Sequence, residues 1–231
     1  NSAFYGMPRA VSSVNSAVVI LGFNAIRSLV LSASLVKMFD GGGNAGAVDK
    51  RRFWLHSIFT AMGSRIVIRH FMQVKMMDPE SAFCAGILHD IGRLIFDQFV
   101  PGDYRRVCKH ALETGVPLVE AEDEVLGINH SEIGRIIADK WALPLDLEYS
   151  IVHHHTPEKT DKITDLISAV HVADGIVHDM GVGTVTKEPK PAQWGTAREI
   201  LKLDEQAYET VCRRLKDEVD KSREFLSIIS Q

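Results

Sequence analysis

Apolar residues recur at helical spacing along most of the chain, and no segment alternates apolar with polar in the manner of a strand, so the pattern predicts an all-α fold. Val14 to Phe39 carries Val18, Leu21, Ile26, Leu29, Val30, Leu35 and Val36, broken at Gly22, and fits two packed helices. Gly41 to Gly46 cannot hold a helix and reads as a flexible connection. From Arg52 to Phe71 the stripe Leu55, Ile58, Phe59, Met62 and Ile66 leaves His56 to one side, with Thr60 and Gly63 as small neighbours that leave room for a ligand. Asp78-Pro79 opens the next helix as N-cap and first helical residue. That helix turns Phe83, Ile87, Ile91, Leu94 and Ile95 inward and carries His89-Asp90 near its middle, flanked by Gly86 and Gly92. Each glycine weakens a helix by about 1 kcal/mol relative to Ala, which implies either close approach to the backbone or tight helix packing.

Asn129 to Glu132 forms a capping box that puts His130 in a first helical turn, where the helix dipole disfavours the imidazolium. Pro144 starts a further helix and Pro157 stops it just after His153-His154-His155, of which two at most can face one site. Thr164 to Met180 is helical, with Asp174 on or beside its apolar stripe. A buried carboxylate needs a partner. A metal is one; His171 or His178, at spacings of three and four, is the structural alternative. Gly181 to Gly195 reads as a loop, and Asp204 caps a long helix bearing Tyr208, Val211, Leu215, Val219 and Leu226 on one face.

Composition narrows the class. A chain of 231 residues buries a sizeable core, no apolar run is long enough for a membrane span, and the start lacks the basic and apolar regions of a signal peptide. Asn1 in place of Met points to a fragment or processed form. Cys84, Cys108 and Cys212 are few and odd in number, which argues for a reducing cytoplasm. A net charge of −4 gives no general attraction to nucleic acid. The weak helix-turn-helix look of Ala17 to Leu31, poor in basic residues, does not change that.

The candidate chemistry is an ordered set of His56, His89-Asp90, His130, His154-His155 and Asp174. Any single histidine here reads as an ordinary core residue; the ordered set reads as a metal centre. Nitrogen and oxygen donors without thiolate suit Fe, Mn, Zn, Ni or Mg more than a soft-metal site does.

The segments Asn1 to Gly6, Ala17 to Leu35, Trp54-Leu55-His56-Ser57 and Ala85 to Gly92 resemble an HDOD domain, a divergent bacterial branch of the HD superfamily related to the HD-GYP phosphodiesterases. The resemblance runs nearly end to end, although the usual HDOD domain begins with a further helical region before the Asn-Ser-Ala segment. It implies a multi-helix HD-superfamily bundle: an N-terminal helical part over about 1–48, a metal-site core over about 49–180 and a C-terminal helix over about 196–231. It implies a bacterial signalling module with other signalling proteins or domains, or a nucleotide or phosphate, as partners. By the same resemblance His56, His89, Asp90 and Asp174 hold one ion, and Asp90 bridges to a second held by His130 and by His154 or His155.

The other activity implied is phosphohydrolysis of a nucleotide or cyclic dinucleotide, with Asp90 and Arg93 as the catalytic pair. Three departures count against it. The phosphodiesterase branch has Lys where this chain has Arg93, and Arg binds phosphate but is a poor general acid. Arg52 stands where those relatives carry an acidic residue. The Gly-Tyr-Pro signature is absent after His154-His155.

Overall fold

The computed structural model describes residues 46–71, 77–185, 189 and 195–229, with isolated positions at 26, 30 and 34. The segments expected as N-terminal helices and glycine-rich connection fall almost wholly outside these residues. Among the described residues every regular element is helical. They are α1 (Lys50–Phe71), α2 (Pro79–Leu88), α3 (Ile91–Phe99), α4 (Pro101–Thr114), α5 (Leu118–Leu126), α6 (His130–Lys140), α7 (Leu145–His153), a 3-10 turn (Pro157–Lys159), α8 (Thr164–Asp179), α9 (Gly195–Ile200) and α10 (Glu205–Ile229).

Helix α1 is the hub, packed by α2, α8 and α10. For that reason its buried face is wider than its apolar stripe suggests. Phe53, Phe59, Met62 and Val67 are buried, but so are His56, Ser57, Thr60 and Ser64, while Ile58 is 37 % exposed. His56 therefore lies on the buried face, not beside it. Gly63 leaves no room for a ligand: a Cβ there would meet the Ala173 methyl at 2.8 Å, so the missing side chain is filled by α8. Gly86 plays the same part for α2, since its Cβ would stand 2.5 Å from the Ala61 Cα. These two positions let three helices close around one point.

The expected single helix through His89-Asp90 is in fact two. His89 keeps helical angles as the cap of α2, but Asp90 turns to φ −98°, ψ 11°, and α3 starts afresh at Ile91. The break redirects the chain so that Gly92 lies against α6, where a Cβ would come within 2.0 Å of the His130 carbonyl oxygen. Tight packing accounts for both glycines.

Asp78 accepts from the Glu80 N–H at 3.0 Å as the cap of α2, and the capping box of Asn129 and Glu132 is present at the start of α6. Helix α10 buries Val211, Leu215 and Val219, with Leu215 against the Gly63 position of α1. No helix among the described residues is long and apolar enough to cross a membrane.

Candidate metal centre

The chain brings His56, His89, Asp90, His130, His154, His155 and Asp174 to one place. His56 comes from α1, His89 and Asp90 from the α2–α3 break, His130 from the first turn of α6, His154 and His155 from the residues that follow α7, and Asp174 from α8. All but His155 are at most 2 % exposed, and His155 is half-buried.

Each ring is aimed by what its Nδ1 does. His56 Nδ1–H donates to the Val182 carbonyl at 2.8 Å, His89 Nδ1–H to the Gly86 carbonyl at 2.8 Å, and His154 Nδ1–H to the Ile151 carbonyl at 2.9 Å. His130 Nδ1–H donates to Glu122 Oε2 at 2.5 Å. With these hydrogens committed, a neutral ring offers only a lone pair at Nε2. Yet the Nε2 atoms converge: His56 and His89 at 3.2 Å, His130 and His154 at 3.3 Å, His130 and His155 at 3.1 Å. Two facing lone pairs, as at His56 and His89, repel unless a cation lies between them, whereas a proton held on His130 Nε2 can bridge that ring to His154 or His155 until a metal displaces it.

The carboxylates complete two sets of donors. Asp90 Oδ2 lies 3.7 Å from His56 Nε2 and 3.6 Å from His89 Nε2, while Oδ1 lies 3.2 Å from His130 Nε2 and 3.6 Å from His154 Nε2. Asp174 Oδ1 stands 3.2 Å from His56 Nε2 and 3.8 Å from His89 Nε2. Asp90 Oδ1 and Asp174 Oδ1 are buried without a hydrogen-bond partner, and Asp90 Oδ2 has the Arg93 guanidinium beside it at 3.1 Å as a charge partner. An oxygen in that state costs several kcal/mol unless a charge compensates it. The donor set fits a divalent metal, with three residues or more converging at Asp90, His130, His154 and His155 and again at His56, His89 and Asp90.

Electrostatics separates the rings. Burial, aided by His154 and His56 and only partly opposed by Asp90 and Asp174, pulls His89 down to about 3. Burial likewise holds His155 well below the usual imidazole range. His130 goes the other way. Burial lowers it, but the charge and hydrogen bond of Glu122 together with the Asp90 contact outweigh burial and carry it up to about 9. The helix-dipole expectation for His130 is thereby overturned by a carboxylate buried beside it. Burial alone would raise the two aspartates; Arg93 and His89 hold Asp90 well below the carboxylate range, and His178 and His56 do the same for Asp174.

Arg93 is 2 % exposed, with its NH1 atom 3.1 Å from Asp90 Oδ2 and donating to Thr184 Oγ1 at 2.6 Å. It braces the shared carboxylate. Arg52 donates to the Gly181 carbonyl at 3.3 Å, close to the loop residue that fixes His56.

Several contributors escaped the sequence. Glu122 is fully buried and receives three hydrogen bonds: from His130 Nδ1, from the His130 backbone N–H at 2.8 Å and from Tyr104 Oη at 2.9 Å. Its one signal was an acidic residue one turn after Leu118 on the inner face of α5. Val182 and Thr184 belong to a stretch read only as loop. His178 lies 3.4 Å from Asp174 Oδ1 through its Nε2, while His171 Nδ1–H donates to the His154 carbonyl at 2.6 Å. His155 borders a cleft of about 490 Å³ walled by Glu120, Asp123, Ser131, His153 and Lys159 among others.

The HDOD domain family matches residues 1–157. The fold matches an HDOD domain protein of unknown function from Geobacter sulfurreducens at TM-score 0.78 and 23 % identity, covering 96 % of this chain and 76 % of that one. It also matches a candidate signal transduction protein from Marinobacter aquaeolei VT8 at TM-score 0.77 and 21 % identity, over 100 % of this chain and 50 % of that one. A candidate phosphohydrolase from Shewanella amazonensis SB2B follows at TM-score 0.67 and 22 % identity, over 91 % and 77 %. An uncharacterized protein of Treponema pallidum (strain Nichols) is 22 % identical over 175 residues, 75 % of this chain but 33 % of the relative, so the chain spans about a third of that protein. At these identities the solved structures establish the all-helical fold, and the family match, spanning well over half of the residues, establishes that the chain belongs to the HDOD domain family.

Proposed function

We propose that the chain is a signalling HDOD domain that holds one or two divalent transition-metal ions and acts through ligand or protein binding. The observation that carries this is the convergence of Nε2 atoms whose rings have already spent their Nδ1 hydrogens, around carboxylate oxygens without hydrogen-bond partners. His56, His89, Asp90 and Asp174 would hold the first ion; Asp90, His130, His154 and His155 would hold the second. The metal core would then lie within the segment of about 49–180. A set so rich in imidazole favours Fe, Mn, Ni or Zn over Ca.

Enclosure supports binding over turnover. Catalytic metal sites keep a position open to substrate, whereas structural ones are closed by protein. Among the described residues the first set is buried, and the second borders a cleft along His155. The resemblance to a candidate signal transduction protein is consistent with output through protein contacts, so the partners would be other signalling proteins or domains. Elemental analysis of the purified protein tests the metal. Metal-free protein under every loading condition would refute it.

A second reading, hydrolysis of a nucleotide or cyclic dinucleotide, is favoured by one observation: the two oxygens of Asp90 face different histidine sets. Two of the similar solved structures are candidate phosphohydrolases. Bound ions would supply the Lewis acidity that attack on phosphorus requires. This chain's own residues oppose a fast reaction, because Arg93 holds its proton at every relevant pH and is engaged with Asp90 and Thr184. Turnover of cyclic dinucleotides by metal-loaded protein separates the readings. Rapid hydrolysis would replace the first by the second; binding without turnover would retain the first.

A further inference from the structure

Asp174 and His178 are one helical turn apart on α8, a spacing that stacks their side chains on the same face. Both point at His56. His178 Nε2 lies 3.4 Å from Asp174 Oδ1, its ring centroid is 5.1 Å from that of His56, and it is 6 % exposed. One donor atom from each of His56, Asp174 and His178 falls within 4.8 Å of the others, as compact a group as His56, His89 and Asp90. We propose that His178 is a nitrogen ligand of the ion held by His56 and Asp174, so that this half of the centre selects ions that prefer imidazole, such as Zn or Co, over Mg. The inference rests on the metal reading given above.

Three features of the chain support it. First, Asp174 Oδ1 has no hydrogen-bond partner, although His178 Nε2 stands within 3.4 Å; a hydrogen-bonding histidine would have satisfied that oxygen, whereas two ligands of one ion are expected to face each other in this way. Second, the two histidines of α8 face different sets. His171 turns its Nδ1–H to the His154 carbonyl and serves to anchor the second histidine set, which leaves His178 as the α8 imidazole directed at the first. Third, His178 gives the ion held by His56 and Asp174 a second imidazole, since these three residues form one compact group. Each imidazole added moves a site from the hard, oxygen-preferring ions toward the borderline ones.

The test is His178→Gln, which keeps a side chain able to hydrogen-bond Asp174 but removes the imidazole. Zinc and cobalt affinities of the first site, measured by competition with a chromophoric chelator, should fall at least about tenfold, since even an outer-shell partner of a ligand is worth that much. The magnesium affinity should stay unchanged, and the Co(II) absorption assigned to this half should change. The second half should retain its ion, which marks the loss as local. Equal zinc affinity and an unaltered cobalt spectrum in His178→Gln would overturn the assignment and leave His178 as a structural partner of Asp174. Should the variant fold poorly, the native protein labelled with 15N-histidine answers the same question. On zinc addition the His178 Nε2 signal should move to the metal-bound position, and an unmoved signal overturns the proposal. Native protein that takes up neither zinc nor cobalt would instead defeat the metal reading itself.

Discussion

The two halves of the centre share Asp90 but are built by different means. Around His56 and His89 the work is done by packing: glycine-sized contacts at positions 63 and 86 draw α1, α2 and α8 together, and backbone carbonyls aim both rings. Around His130 it is done by charge. Glu122 orients that ring and stabilises its protonated form, and the half opens to solvent at His155. A site in the core is held by the fold whether or not a metal is present, whereas a site at the edge depends on a carboxylate that a single substitution can neutralise. The halves should therefore fail in different ways.

Removing what they share should have the largest effect. Asp90→Ala takes away the one residue that faces both histidine sets, and bound metal should fall to a small fraction of the native content by elemental analysis after dialysis. Chelator should lower the melting temperature of the native protein but not of Asp90→Ala, because an ion that binds only the folded chain stabilises it by mass action. Metal content unchanged in the variant would show that this carboxylate is not a ligand.

Glycine substitutions should then distinguish packing from charge. A Cβ at Gly86 meets α1 backbone, and one at Gly92 meets the His130 carbonyl, so neither neighbour is a side-chain tip that can swing away. Gly86→Ala and Gly92→Ala should each cost about 1–3 kcal/mol in denaturant unfolding, the usual range for overpacking. The first should weaken metal binding at the His56 half and the second at the His130 half. Loss at both halves from either variant would mean that they behave as one rigid unit.

Glu122→Gln keeps the shape of the side chain and removes its charge. The His130 half should lose roughly 10-fold to 100-fold in metal affinity, the magnitude typical of partners that orient a ligating histidine. The His56 half should be unaffected. Equal losses in both would contradict the separate construction of the two halves.

How much of this was legible beforehand follows from the distance over which each signal acts. Helix starts were readable because caps are local: Asp78-Pro79 and the Asn129 to Glu132 box act within a single turn. The histidines and aspartates of the centre were readable as an ordered set, and the structure gathers them. The break at Asp90 was not, because both flanking segments have helical periodicity and the contact between Gly92 and α6 that accompanies it is tertiary. The burial of His56 in the second turn of α1 depends on packing by other elements, which no periodicity within α1 reveals. The shift of His130 was misjudged for a related reason. The dipole of its own helix is a local effect, whereas Glu122, eight residues earlier on another helix, is a tertiary one, and at 2.5 Å a buried carboxylate outweighs the dipole.

The smallest expected effect is a proton count, and it isolates the charged half most directly. In the metal-free protein His130 is raised to about 9 from an ordinary 6.5, so the fold favours its protonated form. That contribution to stability is full below about pH 6.5 and disappears as pH rises through about 9. His89, lowered to about 3, acts in the opposite sense: the unfolded chain takes a proton that the folded one refuses, so stability falls as pH drops from about 6.5 toward 3. Near neutral pH, then, His130 carries a proton at Nε2 that an incoming metal must displace, while His89 carries none. Zinc binding at about pH 7.5 should release close to one proton from the His130 half, read by calorimetry in buffers of differing ionisation enthalpy. The release should shrink above about pH 9, and Glu122→Gln should reduce it at neutral pH. A release that persists unchanged in Glu122→Gln would mean that the displaced proton comes from another group and that the charge of Glu122 does not set the protonation of this half.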